Sequence, residues 1–401
     1  MIEFVLTFFF IFISVYLVSL FLLFKRKYAY LFVPFLSITL IFLFDFVIYQ
    51  SYGISFDFSV FYNSGKVILK EPRNLYKIKG YFYCPFFALI FSLLCYFDII
   101  IAHFLFLLLN YAISLICIIK FDKILKLKDL NNKYFRMLFL LIISFGSFIY
   151  YQFHYNQTKL LSLLFLFIII EREIINQNKI KNLNYYFVNY LLFCYILIIN
   201  PYFIFLFIIY ITHNINWGDY FKKERVKHYI IILILFFALN FHFIIYPNLI
   251  LGFLNGLFFP YGFKEYIGLL YLTHSYLSQK LNRIYYIGYL FTFCLIILTI
   301  KIMRKNMSID KKFSCFFLTY LFFGIYSFGK SLAIIMLPFI SLMIISQNKR
   351  RMLIGVVSII SISFIYFIRL FIYQNEVFEQ IEVLICFLLL IFTLIKIKIK
   401  K

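Results

Sequence analysis

Apolar runs of about 20 residues recur along this chain, and short basic breaks separate them. A helix of that length crosses the hydrocarbon of a bilayer, and no soluble domain needs so much apolar surface. The chain is 65% hydrophobic, with a mean hydropathy of +0.96. The expected fold class is therefore an all-α polytopic membrane protein. A β-barrel would instead show short segments of alternating polarity. Candidate spans are Val5–Phe24, Tyr30–Tyr49, Ile100–Ile119, Met137–Phe153, Lys159–Ile170, Tyr185–Ile199, Tyr202–His213, Tyr229–Tyr246, Ile284–Ile300, Phe313–Phe328, Ser331–Ser346, Leu353–Tyr373 and Ile381–Lys396.

The charge pattern orients these spans. Net charge is +23, which in a soluble protein would point to nucleic acid. Here 28 of the 39 Lys and Arg fall in seven breaks: 25–27, 120–136, 171–181, 222–227, 301–312, 349–351 and 396–401. Lysines and arginines collect on the cytoplasmic side, so all seven are expected there, and no nucleic-acid partner is implied. Two demands follow from parity. The apolar piece 81–97, with Pro85, must dip into the outer leaflet and return. Residues 185–213 must be two short helices broken at Asn200-Pro201, because proline in a helix interior removes a hydrogen bond and clashes with the preceding turn. The count is about 13 crossings, in one integral-membrane domain over residues 1–401. The seven cysteines are scattered through apolar runs without a CxxC, which suggests neither a metal site nor a disulfide framework.

One stretch breaks the charge rule. Residues 50–80 fall on the outer side, yet they carry Lys66, Lys70, Arg73, Lys77 and Lys79 against Asp57 and Glu71. Ammonium and guanidinium groups there suit a phosphate at the bilayer edge. An amphipathic helix with Lys66, Lys70 and Arg73 along one solvated face is the plainer reading. Asp57 follows a span closely in an aromatic setting, where a low dielectric makes a carboxylate more basic and fit for general-base work. By position alone it is more often a cap, here for a helix from Phe58 onward. Asp45, inside a span, ranks second. The turn His154-Tyr155-Asn156-Gln157-Thr158-Lys159 gathers polar groups between two apolar runs. Lys330 sits in a short break between spans, either reaching for the interface or facing an anion. His274, Ser275, Gln279 and Arg283 form a looser polar patch.

The segment Asp57-Phe-x-x-Phe-Tyr62, followed by Asn74-Leu75-Tyr76 and by Phe82-Tyr83-Cys84-Pro85-Phe86-Phe87-Ala88-Leu89, resembles the GT-C superfamily of membrane glycosyltransferases. It is most similar to family 87, the DUF2029-type polyprenyl-phosphate-mannose-dependent mannosyltransferases. Asn156-Gln157-Thr158-Lys159 is similar to that family's Gly-Gln-x-Asn turn, Asn200-Pro201 to its Lys-Pro helix break, and Gly329-Lys330 before Leu337-Pro338 to its late polar turn. The chain departs from the pattern with Asn for Gly at 156, Lys for Asn at 159 and Asn for Lys at 200. The resemblance implies a GT-C-like fold of about 11–14 transmembrane helices, with juxtamembrane helices on a large first outer loop.

The activity it implies is inverting transfer of a hexose, expected to be mannose, from a polyprenyl-phosphate sugar to a lipid or glycan hydroxyl. Asp57 would take the acceptor proton. Tyr62, Lys66, Arg73, Tyr83, His154, Gln157, Lys159, His274 and Lys330 are the candidate substrate-binding residues. The expected setting is the plasma membrane, with the site on the extracytoplasmic face and a role in envelope glycan synthesis. No cofactor is expected, and a divalent metal is left open. The rival readings are a lipid-linked glycan flippase or transporter, whose hallmark is repeated halves with paired broken helices, and a polysaccharide polymerase.

Overall fold

The computed structural model describes residues 29–81, 83–144, 147–154, 157–177, 183–214, 223–258, 296–304 and 307–323, with a few positions between 335 and 345. The expected spans Val5–Phe24, Leu353–Tyr373 and Ile381–Lys396, and the residues His274 and Lys330, lie outside them. The described residues are helical, and no strand occurs among them.

The helices are α1 (Ala29–Tyr52), α2 (Phe56–Lys70), α3 (Pro85–Ser92), α4 (Ile99–Leu127), α5 (Lys133–Ser144), α6 (Ser147–His154), α7 (Lys159–Ile175), α8 (Leu183–Ile199), α9 (Ile204–Asn214), α10 (Lys223–Leu239), α11 (His242–Ile245), α12 (Asn248–Phe258) and α13 (Ile309–Phe323). By length and composition one of them, α4, suffices to cross a bilayer. Its 29 residues rise about 43 Å. Shorter apolar helices cover Tyr30–Phe46, Leu183–Ile199, Ile204–His213 and Val226–Leu239. The expected span Met137–Phe153 is divided between α5 and α6, and Tyr229–Tyr246 between α10 and α11.

The helix ends sort into two layers, and ion pairs mark one of them. Asp122, near the end of α4, accepts from Tyr30 Oη at 3.1 Å and pairs with Lys126 at 2.6 Å and Arg136 at 3.5 Å. Glu171 on α7 binds Lys120 at 2.9 Å and Lys123 at 2.5 Å. Lys128 reaches Asp310 of α13 at 2.6 Å. Glu173 accepts from Tyr185 of α8 and Tyr210 of α9 at 2.8 and 2.7 Å. Tyr190 of α8 meets His228 of α10 at 3.0 Å. The starts of α1, α5, α8, α10 and α13 therefore share an end with the finishes of α4, α7 and α9. At the opposite end lie Asp45, His154, Lys159, Asn200 and Asn240. Burial explains why Asp122, Glu171, Glu173 and Asp310 each have partners there: a carboxylate out of water needs a cation or several donors.

Many residues on the outside of this bundle are as apolar as those within. On α4, Ile100, Ile101, Phe104, Leu105, Leu108 and Leu109 are exposed, spaced by three and four. On α10 the same holds for Ile230, Leu233, Ile234 and Phe237.

Two breaks shape the end opposite the ion pairs. The eight-residue α3 begins with Pro85 at its first turn, where a missing N–H costs nothing, and runs into a 3-10 turn at Leu93–Tyr96. At about 12 Å it is too short to cross a bilayer. Asn200-Pro201 ends α8, a 3-10 turn occupies Pro201–Phe203, and α9 returns toward the basic end.

Candidate active site

Helix α2 starts from Ser55, whose hydroxyl accepts the Phe58 N–H at 3.3 Å. Serine is the cap, so Asp57 is left in the first turn, where the helix dipole favours a carboxylate. Phe58, Phe61, Tyr62, Gly65 and Ile68 form the buried stripe. That stripe packs on α3 through Phe61 against Phe87 and Phe91, with ring centroids 5.1 and 5.0 Å apart. Gly65 is required where the two helices touch. A Cβ there would lie 2.8 Å from the Phe91 carbonyl carbon and the Ser92 nitrogen. This packing leaves Asp57 at the rim of the stripe, half-buried.

Three elements converge on that carboxylate. The turn after α6 closes with the Gln157 N–H donating to the Gln152 carbonyl at 2.9 Å, and the Gln157 side-chain amide donates to Asp57 Oδ2. Lys159, the first residue of α7, is 8% exposed and lies within electrostatic reach of Asp57. Its Nζ donates to Asn200 Oδ1 at 2.5 Å, and Asn200 Nδ2 donates to Ser162 Oγ at 2.6 Å. The helix break thus has a use: without it, Asn200 would spend its turn on the backbone of a longer helix instead of standing at an apex. The Tyr83 ring completes the group, its centroid 5.6 Å from the Lys159 ammonium. Tyr83 is held by the Tyr76 hydroxyl, which donates to its carbonyl at 2.9 Å. Burial, with the neighbouring Tyr81 and Cys84, pushes the Tyr76 phenol well up, so it stays a donor.

Asp57, Tyr83, Gln157 and Lys159 are therefore brought together, although 102 residues of numbering separate the first from the last. Other expected site residues contact different partners. Tyr62 is buried, with its hydroxyl on the Phe97 carbonyl at 2.8 Å. Lys66 lies over the Tyr62 ring at 4.5 Å, and Arg73 over the Tyr246 ring at 5.6 Å. Lys66 and Lys70 share α2, but the helix ends at Lys70 and Arg73 belongs to the 3-10 turn Pro72–Lys77, so the three do not form one helical face. His154 pairs with Asp45 at 3.1 Å. Asn200 and Ser162 were not among the expected site residues. Asn200 carried a signal, an amide just before a helix-breaking proline; Ser162 carried none. Among the described residues no cluster of three or more His, Cys, Asp or Glu is placed to hold a metal ion.

No known protein family matches the chain, and neither curated proteins nor solved structures show a match to it.

Proposed function

We propose that this protein is a polytopic membrane glycosyltransferase of the GT-C type, transferring a hexose from a polyprenyl-phosphate sugar to an acceptor hydroxyl outside the cytoplasm. The observation that carries the proposal is a half-buried carboxylate, Asp57, held by Gln157 and faced by the buried ammonium of Lys159, at the end of the bundle opposite the paired lysines. The exposed apolar stripes of α4 and α10 favour a lipid surround. The basic ends favour the cytoplasmic side for their layer. The short α3 suits a segment that enters the outer leaflet and returns, forming the rim over which a lipid tail reaches the site.

In this reading the acceptor oxygen attacks the anomeric carbon from the face opposite the phosphate. Its bond to that carbon forms as the bond to the phosphate oxygen breaks, which inverts the centre. The acceptor proton passes to Asp57. That transfer has an electrostatic consequence. Once protonated, Asp57 no longer neutralises Lys159, so the ammonium gains effective charge as the leaving phosphate becomes more negative. Stabilisation that grows along the reaction accelerates it; stabilisation present from the start does not. Two of the three departures from the family pattern also meet here. Lys159 stands where the pattern has Asn, Asn200 where it has Lys, and the two side chains are hydrogen-bonded partners. The exchange keeps one cation and one amide at the same place.

The test is sugar transfer from a radiolabelled polyprenyl-phosphate mannose in membranes containing Asp57→Asn. Near-complete loss with normal insertion is expected; retained transfer removes Asp57 as the base.

A further inference from the structure

The basic run over residues 66–79 is a feature the Asp57 cluster leaves unused. Lys66, Lys70, Arg73, Lys77 and Lys79 are all exposed, at the end of the bundle where the positive-inside rule expects few cations. Among the described residues none of the five is ion-paired, whereas at the opposite end Lys120, Lys123, Lys126 and Lys128 all meet carboxylates. Glu71, the acid within the run, accepts from the Asn74 side-chain amide instead.

Two of these cations rest on tyrosines that border exposed apolar residues. Arg73 lies over the Tyr246 ring at 5.6 Å, at the join of α11 and α12. Helix α12 is fastened to the 3-10 turn that carries Arg73. A Cβ on Gly252 would lie 2.7 Å from a carbon of the Tyr76 ring, and the Phe253 ring faces Tyr76 with centroids 6.3 Å apart. Leu249, Gly252 and Phe253 make the covered face of α12, which leaves Ile250, Leu251 and Leu254 outward. Leu251 is 66% exposed, and Ile244 and Ile245 just before α12 are 63% and 56% exposed. With Phe241 they continue the outward apolar stripe of α10. Lys66 repeats the arrangement. It lies over the Tyr62 ring, the Tyr62 hydroxyl donates to the Phe97 carbonyl, and Leu93, Tyr96 and Phe97 there are exposed.

A guanidinium stacked by its face keeps the N–H groups along its edge for an acceptor. The order cation, tyrosine, exposed aliphatic side chain matches the order phosphate, interface, acyl chain through one leaflet. Continuity with the α10 stripe selects lipid as the occupant, because that stripe is the surface the membrane reading already turns to lipid. Resting on that reading, we propose that this end of the molecule binds anionic phospholipid of the outer leaflet. Lys70 and Arg73 hold the headgroup phosphate by charge-assisted hydrogen bonds. Ile244, Ile245, Leu251 and Leu254 lie among the acyl chains. Lipid held there anchors the finish of α2, the helix whose first turn carries Asp57.

The experiment places a reporter on the apolar face. The chain has one tryptophan, Trp217, so full-length protein with Trp217→Phe and Leu251→Trp carries a single indole on α12. It is reconstituted in vesicles of equal phosphatidylcholine and phosphatidylglycerol, one or the other brominated on its acyl chains, and the quenching of the two is compared. Brominated phosphatidylglycerol is expected to quench as though enriched about fivefold, the worth of one cation near an anionic headgroup. The ratio should fall toward one in Lys70→Gln/Arg73→Gln and be kept in Lys70→Arg/Arg73→Lys. Equal quenching by the two lipids would overturn the headgroup site and leave the membrane reading standing. An unchanged ratio in the glutamine variant would overturn the role of Lys70 and Arg73. Quenching by neither lipid would put another occupant, such as a protein, on α12 and overturn the proposal together with the lipid-facing assignment of that surface. Retained sugar transfer in Asp57→Asn, which removes Asp57 as the base, would alter none of these ratios. Should the glutamine variant fail to reconstitute, salt at about 1 M, where charges are screened within about 3 Å, should abolish the preference of the parent protein, and a preference that survives it would overturn the proposal.

Discussion

Exchanging Lys159 and Asn200 is the most demanding test of the site. Asn200→Lys alone places a second ammonium where Oδ1 now accepts from Lys159 Nζ at 2.5 Å. Lys159 is 8% exposed and Asn200 2%, so water gives little relief. Two unit charges about 3 Å apart at an effective dielectric of about 20 repel by roughly 5 kcal/mol. One of the two sheds part of that cost by losing its proton, and a net destabilisation of about 3 kcal/mol remains. Adding Lys159→Asn removes the repulsion and rebuilds the bond with donor and acceptor exchanged. The double variant should therefore be more stable than Asn200→Lys, with a coupling of about 2–3 kcal/mol between the sites. In detergent, followed by loss of the monodisperse chromatographic peak on heating, Asn200→Lys should melt on the order of 5 °C below wild type. The double variant should regain most of the difference. If Asn200→Lys melts with wild type, or the exchange rescues nothing, the two side chains are not partners and the site as described is wrong.

Other predictions concern separate parts of the molecule. Gly65→Val should cost about 1–3 kcal/mol by forcing α2 off α3, seen as a lower melting temperature; an unchanged one would mean the helices do not meet there. A cysteine at Ser59 should react with an impermeant thiol reagent on intact cells and one at Asn131 should not, and the opposite pattern would invert the proposed orientation. Burial raises the Glu171 carboxyl, but hydrogen bonds and charges from Lys123 and Lys120 outweigh it and hold the group below its ordinary value of 4.5. A depressed carboxylate stabilises fully above that value and less as pH falls through its folded one. Glu171→Gln should therefore flatten the acid limb of a melting profile as pH falls below about 4.5; an unaltered limb would assign acid lability to other groups.

Several features were legible in the sequence because they follow from short-range rules. Proline disfavours a continuous helix, and the structure breaks at Pro201, although α1 runs on through Pro34. The apolar runs around 30–49 and 100–119 became α1 and α4, and their few hydroxyls, Ser37, Thr39 and Ser114, bond back to carbonyls of the same helix. Asp57 stood out as an acid just past a span. The cap position it could have filled is taken by Ser55, two residues earlier, which leaves Asp57 in the first turn. The convergence of Gln157, Lys159 and Asn200 on one point could not be read in advance. It depends on α7 and α8 running in opposite directions at a particular depth, which packing between Tyr190, Phe193 and their neighbours decides. Lys66 and Arg73 illustrate the reverse: their charges suggested an anion, while the aromatic faces of Tyr62 and Tyr246 beneath them are visible only in three dimensions.

Helices α8 and α9 make a frame whose feet are pinned together. Glu173 accepts from Tyr185 and Asn189 on one leg and from Tyr210 on the other, while the summit carries Asn200. Each leg acts as a lever, and α8 is about 25 Å long. Slackening the foot so that it leans by about 5° would carry the summit sideways by about 2 Å, enough to pull Asn200 away from Lys159 and to disturb the proposed site at a distance. Damage at residue 173 would then masquerade as damage to the Asp57 cluster, although the carboxylate there stands a whole helix away from it.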